Sequence, residues 1–598
     1  MQPQYTIEDF LDIKSAVAPS FSPDGNTVAF LSNVTGVFQL YVVPRTGGEP
    51  EQLTAYEDSV SSVSFSPINN EIVFGMAKGG NENVQLFLLD VASKSVRMLT
   101  SEPTAFHNFG GWSRDGKFIT YHSNVRNGKD VDVYIMDVET GVSRMVYGEG
   151  GSCWSYSFSP TGSKLVVTKN YGAGRNDLHL VDVASGVAEL LTPEDEKGII
   201  GPPRWLPDER GFFFVQNRGR DFCGVSFFDL ATKKSLYVLV PEHDIDGISI
   251  TRDGEHLMVM VNKDGYNTLT VYETKNLQPV SKQNFPKGMI SGATWSSDGS
   301  HIAFSLASGA KNGDVWVWSK EENKYWQITH SPRRVPEEVF VEPELVKYPS
   351  FDGLQVPVFV YTPKVQSSGQ KIPVIVDIHG GPTDQSRPRF NALAQYFVHH
   401  GYAVVLPNVR GSSGYGKAYM ALDDVKKRMD SVTDLEYFHK FLEQDGRFDA
   451  KKVALLGVSY GGYMVLAGLT FRPELWAAGV DIVGISNFVS FLENTSPYRR
   501  ENREAEYGSL ATDREFLQSI SPINFIEDIQ APLLIVHGAN DPRVPLSEAE
   551  QMHKKLIESG KKSELLVYAD EGHGLKKLKN RLDAYPKIVN FLDAVLKV

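Results

Sequence analysis

One serine of this sequence lies in a pattern that is typical of an enzyme nucleophile. Ser459 is the centre of Gly-Val-Ser-Tyr-Gly at 457–461, directly after the apolar run VALL at 453–456. The run predicts a buried strand and the residues after it predict a helix, so the serine is expected on a sharp strand-to-helix turn. Gly457 and Gly461 flank it where larger side chains would collide. This context favours a reactive serine over one in an ordinary glycine-rich turn.

A nucleophilic serine needs a base, and the base needs an acid that orients it. Asp541 follows the apolar run LLIV at 533–536, and His573 follows LLVY at 565–568. The order Ser, Asp, His is that of α/β-hydrolases, and both residues lie beyond the carboxyl ends of predicted strands. We predict Ser459, His573 and Asp541 as the nucleophile, base and acid of an acyl transfer that needs no metal or cofactor.

Four other titratable residues lie near the same predicted strand ends. His537 precedes Asp541 in one loop and is expected to be structural, and His379 is expected to shape its own glycine-rich turn. Asp570 and Glu571 are expected to be solvated loop charges.

Stabilising the oxyanion of such a reaction takes two N–H donors. The first is predicted to be the backbone N–H of Tyr460, which follows the nucleophile. The second is expected from the turn His-Gly-Gly-Pro at 379–382, which follows another apolar strand. We predict Gly381, because a glycine lets the backbone approach closely.

A repeat fills the first half of the chain. Segments such as SFSPDGNTVAFLS recur with anchor positions at Ser22, Ser66, Ser113, Ser159, Leu206, Thr251 and Ser296, 44 to 47 residues apart. Each unit also holds a second alternating segment, and two hairpins per unit make a four-stranded blade. We predict a seven-bladed β-propeller over residues 15–330. A solenoid of strands is the alternative.

The second half, residues 331–598, alternates apolar strands with helical segments. This pattern predicts a mostly parallel sheet covered on both faces, the α/β-hydrolase fold. The second domain would therefore carry all three predicted catalytic residues.

Composition excludes several classes of function. The net charge is -13 without a basic patch, so nucleic acid is not an expected partner. Two cysteines make no disulfide framework or metal motif. The N-terminal residues lack a signal-peptide pattern, and no apolar run is long enough to cross a membrane. A cytoplasmic protein is expected.

With these motifs, the chain resembles the prolyl oligopeptidase family of serine peptidases, and within it most closely the acylaminoacyl peptidases. The resemblance rests on HGGP at 379–382, NVRGSSGYG at 408–416, GVSYGG at 457–462, HGANDPRVP at 537–545 and DEGHG at 570–574. It implies release of N-acylated amino acids from short peptides, with the propeller excluding large proteins. It also implies that Arg543 holds a substrate carbonyl, that an N-terminal helix in residues 1–14 packs on the hydrolase domain, and that an oligomer can form.

The sequence motifs identify the subfamily less clearly than the family. Dipeptidyl peptidases carry tryptophan before the nucleophile and a glutamate pair in the propeller, whereas Val458 precedes Ser459 here. The glutamate pairs at 321–322 and 337–338 are expected to be solvated. Val483, Ile485 and Phe488 are candidates for an apolar S1 pocket, although core packing explains them equally well. The alternatives are a carboxylesterase, an aminopeptidase or oligopeptidase of the same fold, and a propeller interaction module with an idle hydrolase domain.

Overall fold

The N-terminal half forms seven antiparallel sheets arranged as the blades of a propeller. The computed structural model describes residues 5–172, 174–192, 196–280, 285–364 and 369–597. Six blades have four strands and the sixth has three within these described residues. Consecutive strands build each blade, so the chain completes one blade before it starts the next. The predicted seven-bladed propeller is confirmed.

The propeller strands are β1 (Ala16–Phe21), β2 (Thr27–Ser32), β3 (Gln39–Pro44), β4 (Glu51–Gln52), β5 (Val60–Phe65), β6 (Glu71–Met76), β7 (Gln85–Asp90), β8 (Val96–Met98), β9 (His107–Trp112), β10 (Phe118–Ser123), β11 (Asp132–Asp137), β12 (Ser143–Tyr147), β13 (Ser152–Phe158), β14 (Lys164–Gly172), β15 (Arg175–Asp182), β16 (Ala188–Leu190), β17 (Arg204–Trp205), β18 (Gly211–Gln216), β19 (Gly224–Asp229), β20 (Lys234–Leu239), β21 (Ile245–Ile250), β22 (His256–Lys263), β23 (Tyr266–Glu273), β24 (Met289–Trp295), β25 (His301–Ala307), β26 (Asp314–Ser319) and β27 (Lys324–Gln327).

The repeated anchor residues close the first hairpin of a blade. The Ser22 hydroxyl donates to Asp24 Oδ1 (2.6 Å) and accepts from the Thr27 N–H (3.0 Å). The turn residues thereby satisfy each other's hydrogen bonds, which fixes the register of β1 and β2 on either side of the turn. Blade 7 packs directly on blade 1, where the Ala18 N–H donates to Ser305 Oγ (3.1 Å).

The C-terminal half contains one eight-stranded sheet. Its strands are β28 (Glu344–Pro349), β29 (Gln355–Tyr361), β30 (Ile372–Ile378), β31 (Ala403–Pro407), β32 (Phe448–Val458), β33 (Ala478–Ile482), β34 (Leu533–Gly538) and β35 (Ser563–Tyr568). The order is β28-β29-β31-β30-β32-β33-β34-β35, parallel from β31 onward, as the α/β-hydrolase prediction requires.

Helices cover both faces of this sheet. The helices are α1 (Ile7–Leu11), α2 (Ala392–His399), α3 (Lys417–Met420), α4 (Arg428–Gln444), α5 (Tyr460–Phe471), α6 (Phe488–Asn494), α7 (Pro497–Tyr507), α8 (Arg514–Ser519), α9 (Ser547–Glu558) and α10 (Leu578–Leu596). One core lies on the side of α4 and α5, and a second lies on the side of α2 and α10.

Helix α1 belongs to the second of these cores although it precedes the propeller. Thr6 caps it with a reciprocal Thr6–Asp9 capping box. Phe10 is buried, and its ring packs edge-on against Tyr396 with the ring centroids 5.5 Å apart. Among all the helices that the structure describes, none combines the length and apolar composition needed to cross a lipid bilayer.

Candidate active site

The nucleophile elbow has the strained geometry that its sequence predicts. Ser459 lies between β32 and α5 with φ 63° and ψ −119°, a backbone conformation that non-glycine residues rarely adopt. A Cβ on Gly457 would collide with the carbonyl oxygen of Gly461, and one on Gly461 with that of Ile378. Both flanking glycines are therefore required by close backbone contacts, which leaves the serine half-exposed at the strand end.

The predicted base and acid are hydrogen-bonded to each other. His573 Nδ1 donates to Asp541 Oδ2 at 2.7 Å, and both side chains are nearly inaccessible to solvent. The other carboxylate oxygen, Asp541 Oδ1, accepts from the backbone N–H groups of Arg543 (2.8 Å) and Val544 (3.1 Å). The carboxylate is thus held from both sides, and the histidine keeps Nε2 for proton transfer.

Strand order brings the elbow and these two loops to one edge of the sheet. Ser459 follows β32, Asp541 follows β34 and His573 follows β35, and all of these strands are parallel. The loops after parallel strands meet at the carboxyl edge. This is the arrangement in which a serine, a histidine and an aspartate can act as one unit.

The turn at 379–382 passes directly beside the nucleophile. A Cβ placed on Gly380 would lie 3.2 Å from Ser459 Cβ. His379 is held by contacts of both ring nitrogens, to the Gly380 carbonyl (2.7 Å) and the Ser412 hydroxyl (2.8 Å). Burial lowers the pKa of His379, which favours the neutral ring. The Gly381 carbonyl accepts from Arg503 Nη1 (3.0 Å), which fixes the turn from the other side.

The side chain of Tyr460 anchors the start of α5 in a buried polar cluster. Its hydroxyl lies 2.9 Å from Ser431 Oγ and accepts from Arg428 Nη1 at 3.2 Å. Arg428 is fully buried and pairs with Asp423 and with Glu506 of α7. Burial raises the pKa of Asp423 to about 7, against the attraction of Arg428. The backbone N–H of Tyr460, the predicted oxyanion donor, is therefore attached to a rigid network.

A propeller residue reaches Arg543. Glu82 lies in the loop between β6 and β7, and its carboxylate accepts from Arg543 Nε at 2.8 and 3.0 Å. Arg499 of α7 donates to the same carboxylate at 2.9 Å. Burial opposes ionisation of Glu82, but the two arginines hold its pKa below the ordinary value. Nothing in the sequence around Glu82 predicts this contact.

The same propeller loop touches both catalytic loops. Asn540 Nδ2, next to Asp541, donates to the Gly79 carbonyl oxygen at 2.8 Å. Gly80 and Gly572, next to His573, lie so close that a Cβ on either would collide with the other's backbone. The propeller therefore forms part of the wall around the predicted catalytic residues.

A cavity of about 510 Å³ lies between Arg543 and the inner strands of the propeller. Its charged lining consists of the carboxylates Asp58, Glu82 and Glu571 and the cations Arg499, Arg543, Lys576 and Lys577. Lys577 pairs with Asp58 at 3.1 Å. Lys577 also pairs with Asp570 at 3.1 Å, so the charges at this end of the cavity among the described residues are balanced.

Glu571 corrects one expectation from the sequence. It is 1% exposed and is not a solvated loop charge, because it accepts from the backbone N–H groups of Lys576 (3.1 Å) and Lys577 (2.8 Å) and from Asn580 (2.9 Å). His537 is buried, and its Nε2 donates to the Val544 carbonyl at 3.0 Å, a structural contact.

The three S1 candidates do not come together. Val483 packs into the core on the side of α10, whereas Ile485 and Phe488 pack into the core on the side of α5. Phe488 is fully buried between Tyr463 and Tyr507, with ring centroids 4.7 and 4.8 Å away. Core packing accounts for all three side chains.

Two family models match the chain and together cover most of it. The prolyl oligopeptidase family model matches residues 388–598, and the model of the N-terminal β-propeller domain of prolyl oligopeptidase matches residues 49–311. The chain belongs to the prolyl oligopeptidase family. It is a serine peptidase, as the sequence resemblance implied.

The relatives of this serine peptidase differ in their specificities. It is 24% identical to dipeptidyl aminopeptidase BIII of Pseudoxanthomonas mexicana over 94% of this chain and 84% of the relative. It is 23% identical to the acylamino-acid-releasing enzyme of Mus musculus over 70% of this chain and 61% of that enzyme. A puromycin-hydrolysing peptidase of Mycobacterium tuberculosis has the same fold, with a TM-score of 0.88, 18% identity and coverage of 99% and 96% of the two chains.

Proposed function

We propose that this serine peptidase is an acylaminoacyl peptidase, which releases N-acylated amino acids from short peptides. The observation that carries the proposal is that the carboxylates lining the cavity beside Arg543 already have partners. All three of its lining carboxylates are engaged, Glu82 by two arginines, Asp58 by a lysine and Glu571 by N–H donors. A free ammonium group would have to compete with these cations and donors for a carboxylate, whereas a neutral acyl group needs none.

The mechanism follows from the contacts of the predicted triad. His573 Nε2 takes the proton of Ser459 as its oxygen attacks the substrate carbonyl, and Asp541 orients the imidazole and stabilises its cation. The oxyanion accepts from the backbone N–H groups of Tyr460 and Gly381. The leaving amine takes the proton back from His573, and water then hydrolyses the acyl-enzyme with the same histidine as base.

Arg543 is proposed to hold a carbonyl on the N-terminal side of the scissile bond. Glu82 engages only Nε of its guanidinium in the part of the chain that the structure describes, so both terminal nitrogens can donate to substrate. The propeller that closes over this site would admit short peptides and exclude folded proteins.

A dipeptidyl aminopeptidase is the second candidate, and Glu82 is the observation that favours it. A carboxylate beside the arginine proposed to bind a carbonyl is an acceptor for the free amine of a dipeptide. Dipeptidyl aminopeptidase BIII is also among the similar proteins. This reading requires Glu82 to bind an amine while two arginines already share its charge.

The deciding experiment compares kcat/KM for three p-nitroanilides, those of N-acetyl-leucine, leucine and glycyl-leucine, with Ser459→Ala as the blank. Preference for the acetylated substrate is expected. Preference for glycyl-leucine would establish the second candidate, and preference for leucine an aminopeptidase. Turnover of p-nitrophenyl esters alone would identify an esterase, because the same triad serves both reactions.

A further inference from the structure

We propose that the cavity beside Arg543 is a binding site for an aromatic or other bulky apolar group at the N-terminal end of the substrate. Phe109 and Trp154 of the propeller and Tyr498 of α7 would form it. The inference rests on the proposed acylaminoacyl peptidase function, because it specifies which blocking groups that function prefers.

One wall of the cavity is a continuous series of contacts that leads away from Arg543. Arg543 contacts Glu82 at 2.8 Å and Glu82 contacts Arg499 at 2.9 Å. Arg499 Nε then donates to the Tyr498 hydroxyl at 3.0 Å, and the Tyr498 ring packs on Phe106 with the centroids 5.0 Å apart. A substrate whose carbonyl is held by Arg543 would therefore extend from charged groups toward aromatic rings.

The aromatic end offers ring surface rather than unpaired polar groups. Trp154 and Phe109 lie on the inner strands β13 and β9, line the cavity and are only partly buried. The indole N–H of Trp154 already donates to Ser152 Oγ at 2.8 Å. Partly exposed ring faces gain contact area when they pack against another aromatic group.

Size and charge point to the same kind of group. A volume of about 510 Å³ is that of a small-molecule site and far exceeds the space that an acetyl group fills. The lining carboxylates that the structure describes are already engaged, so a free ammonium group has no open carboxylate there and the end of the substrate in this cavity would be neutral. An aryl-acyl group satisfies both conditions.

The test compares kcat/KM for benzyloxycarbonyl-leucine p-nitroanilide and N-acetyl-leucine p-nitroanilide, with leucine p-nitroanilide as the free-amine reference. In the wild-type enzyme, kcat/KM for the benzyloxycarbonyl substrate is expected to be about tenfold higher than for the acetyl substrate. This ratio corresponds to the free energy of one well-packed aromatic contact. Trp154→Ala is expected to reduce this ratio to near one, and Trp154→Phe, which keeps a ring, to restore most of it.

Trp316→Ala is the matched control, because Trp316 is also a half-buried propeller tryptophan but does not line the cavity. It is expected to leave the ratio at the wild-type value. Equal rates for the two acylated substrates, or a full ratio in Trp154→Ala, would overturn the aromatic site and leave the proposed function standing. Turnover of leucine p-nitroanilide without turnover of either acylated substrate would overturn both.

Discussion

Replacing Glu82 by glutamine tests whether a propeller residue prepares the substrate site of the hydrolase domain. The change keeps the size of the side chain but removes the charge that binds Arg543 and Arg499. Arg543 would then be free to sample several rotamers. We expect lower kcat/KM for acylated peptide anilides, mainly through a higher KM, because substrate binding must now order the arginine.

The size of the decrease in kcat/KM follows from the solvent exposure of Glu82 and Arg543. Hydrogen bonds to charged groups contribute about 1.5–3 kcal/mol each, and ordering a long side chain costs up to about 2 kcal/mol. The side chains of Glu82 and Arg543 are 16% and 40% exposed, so solvent screens the pair and the lower end of the range applies. A loss of about 1.5 kcal/mol corresponds to a decrease in kcat/KM of roughly tenfold.

The assay measures kcat and KM for N-acetyl-leucine p-nitroanilide and for p-nitrophenyl acetate. The ester has no carbonyl besides the one that Ser459 attacks, so it offers none to Arg543. The kcat/KM for the anilide is expected to fall far more than the kcat/KM for the ester. The control variant is Glu139→Gln, which removes an exposed propeller carboxylate outside the cavity. If Glu82→Gln kept the wild-type KM, or lowered kcat/KM equally for both substrates, Glu82 would have no role in orienting Arg543.

Three further substitutions test the buried groups and the nucleophile. Ser459→Ala should lower kcat by roughly 10⁶ without altering the circular dichroism spectrum, and activity near the wild-type level would exclude Ser459 as nucleophile. Arg428→Met leaves the buried carboxylates of Asp423 and Glu506 without their cation, so urea denaturation should show a loss of roughly 3–5 kcal/mol; an unchanged midpoint would refute the pairing. Burial raises the pKa of Asp481 from 3.8 to about 7, so the folded chain retains a proton that the unfolded chain releases, and stability should fall as pH rises from about 4 to 7. Asp481→Asn should flatten this fall in a series of Tm measurements between pH 5 and 8, and a slope equal to that of the wild type would contradict the assignment.

The fold and the loop positions of the triad could be predicted because they depend on local patterns. The propeller follows from hairpins that recur at a fixed spacing, and each blade uses consecutive strands. The loops of the predicted triad follow from apolar strands that precede Ser459, Asp541 and His573 and end at the same edge of the sheet. In each case the informative residues lie within a few positions of the element that they define.

The contacts of Arg543 and the packing of the S1 candidates could not be predicted for two physical reasons. Glu82 is 461 residues from Arg543 in the chain, and only the closed arrangement of the two domains brings them together. Val483 follows the last residue of β33 and has φ 51°, which ends the alternation of a strand. Its side chain therefore packs on the opposite side of the sheet from Ile485 and Phe488, although spacing alone would group Val483 with Ile485.

One propeller loop, residues 79–82, contacts the loops that carry the predicted acid and base and also Arg543. Gly79 accepts a hydrogen bond from the residue before Asp541, Gly80 packs on the residue before His573, and Glu82 binds Arg543. This loop therefore supports the predicted acid, the predicted base and the arginine proposed to bind a carbonyl. Separating the two domains would remove all three supports together, so the substrate site is complete only when the propeller lies against the hydrolase domain. The proposed selection of short peptides and the assembly of the predicted site then depend on the same closed state.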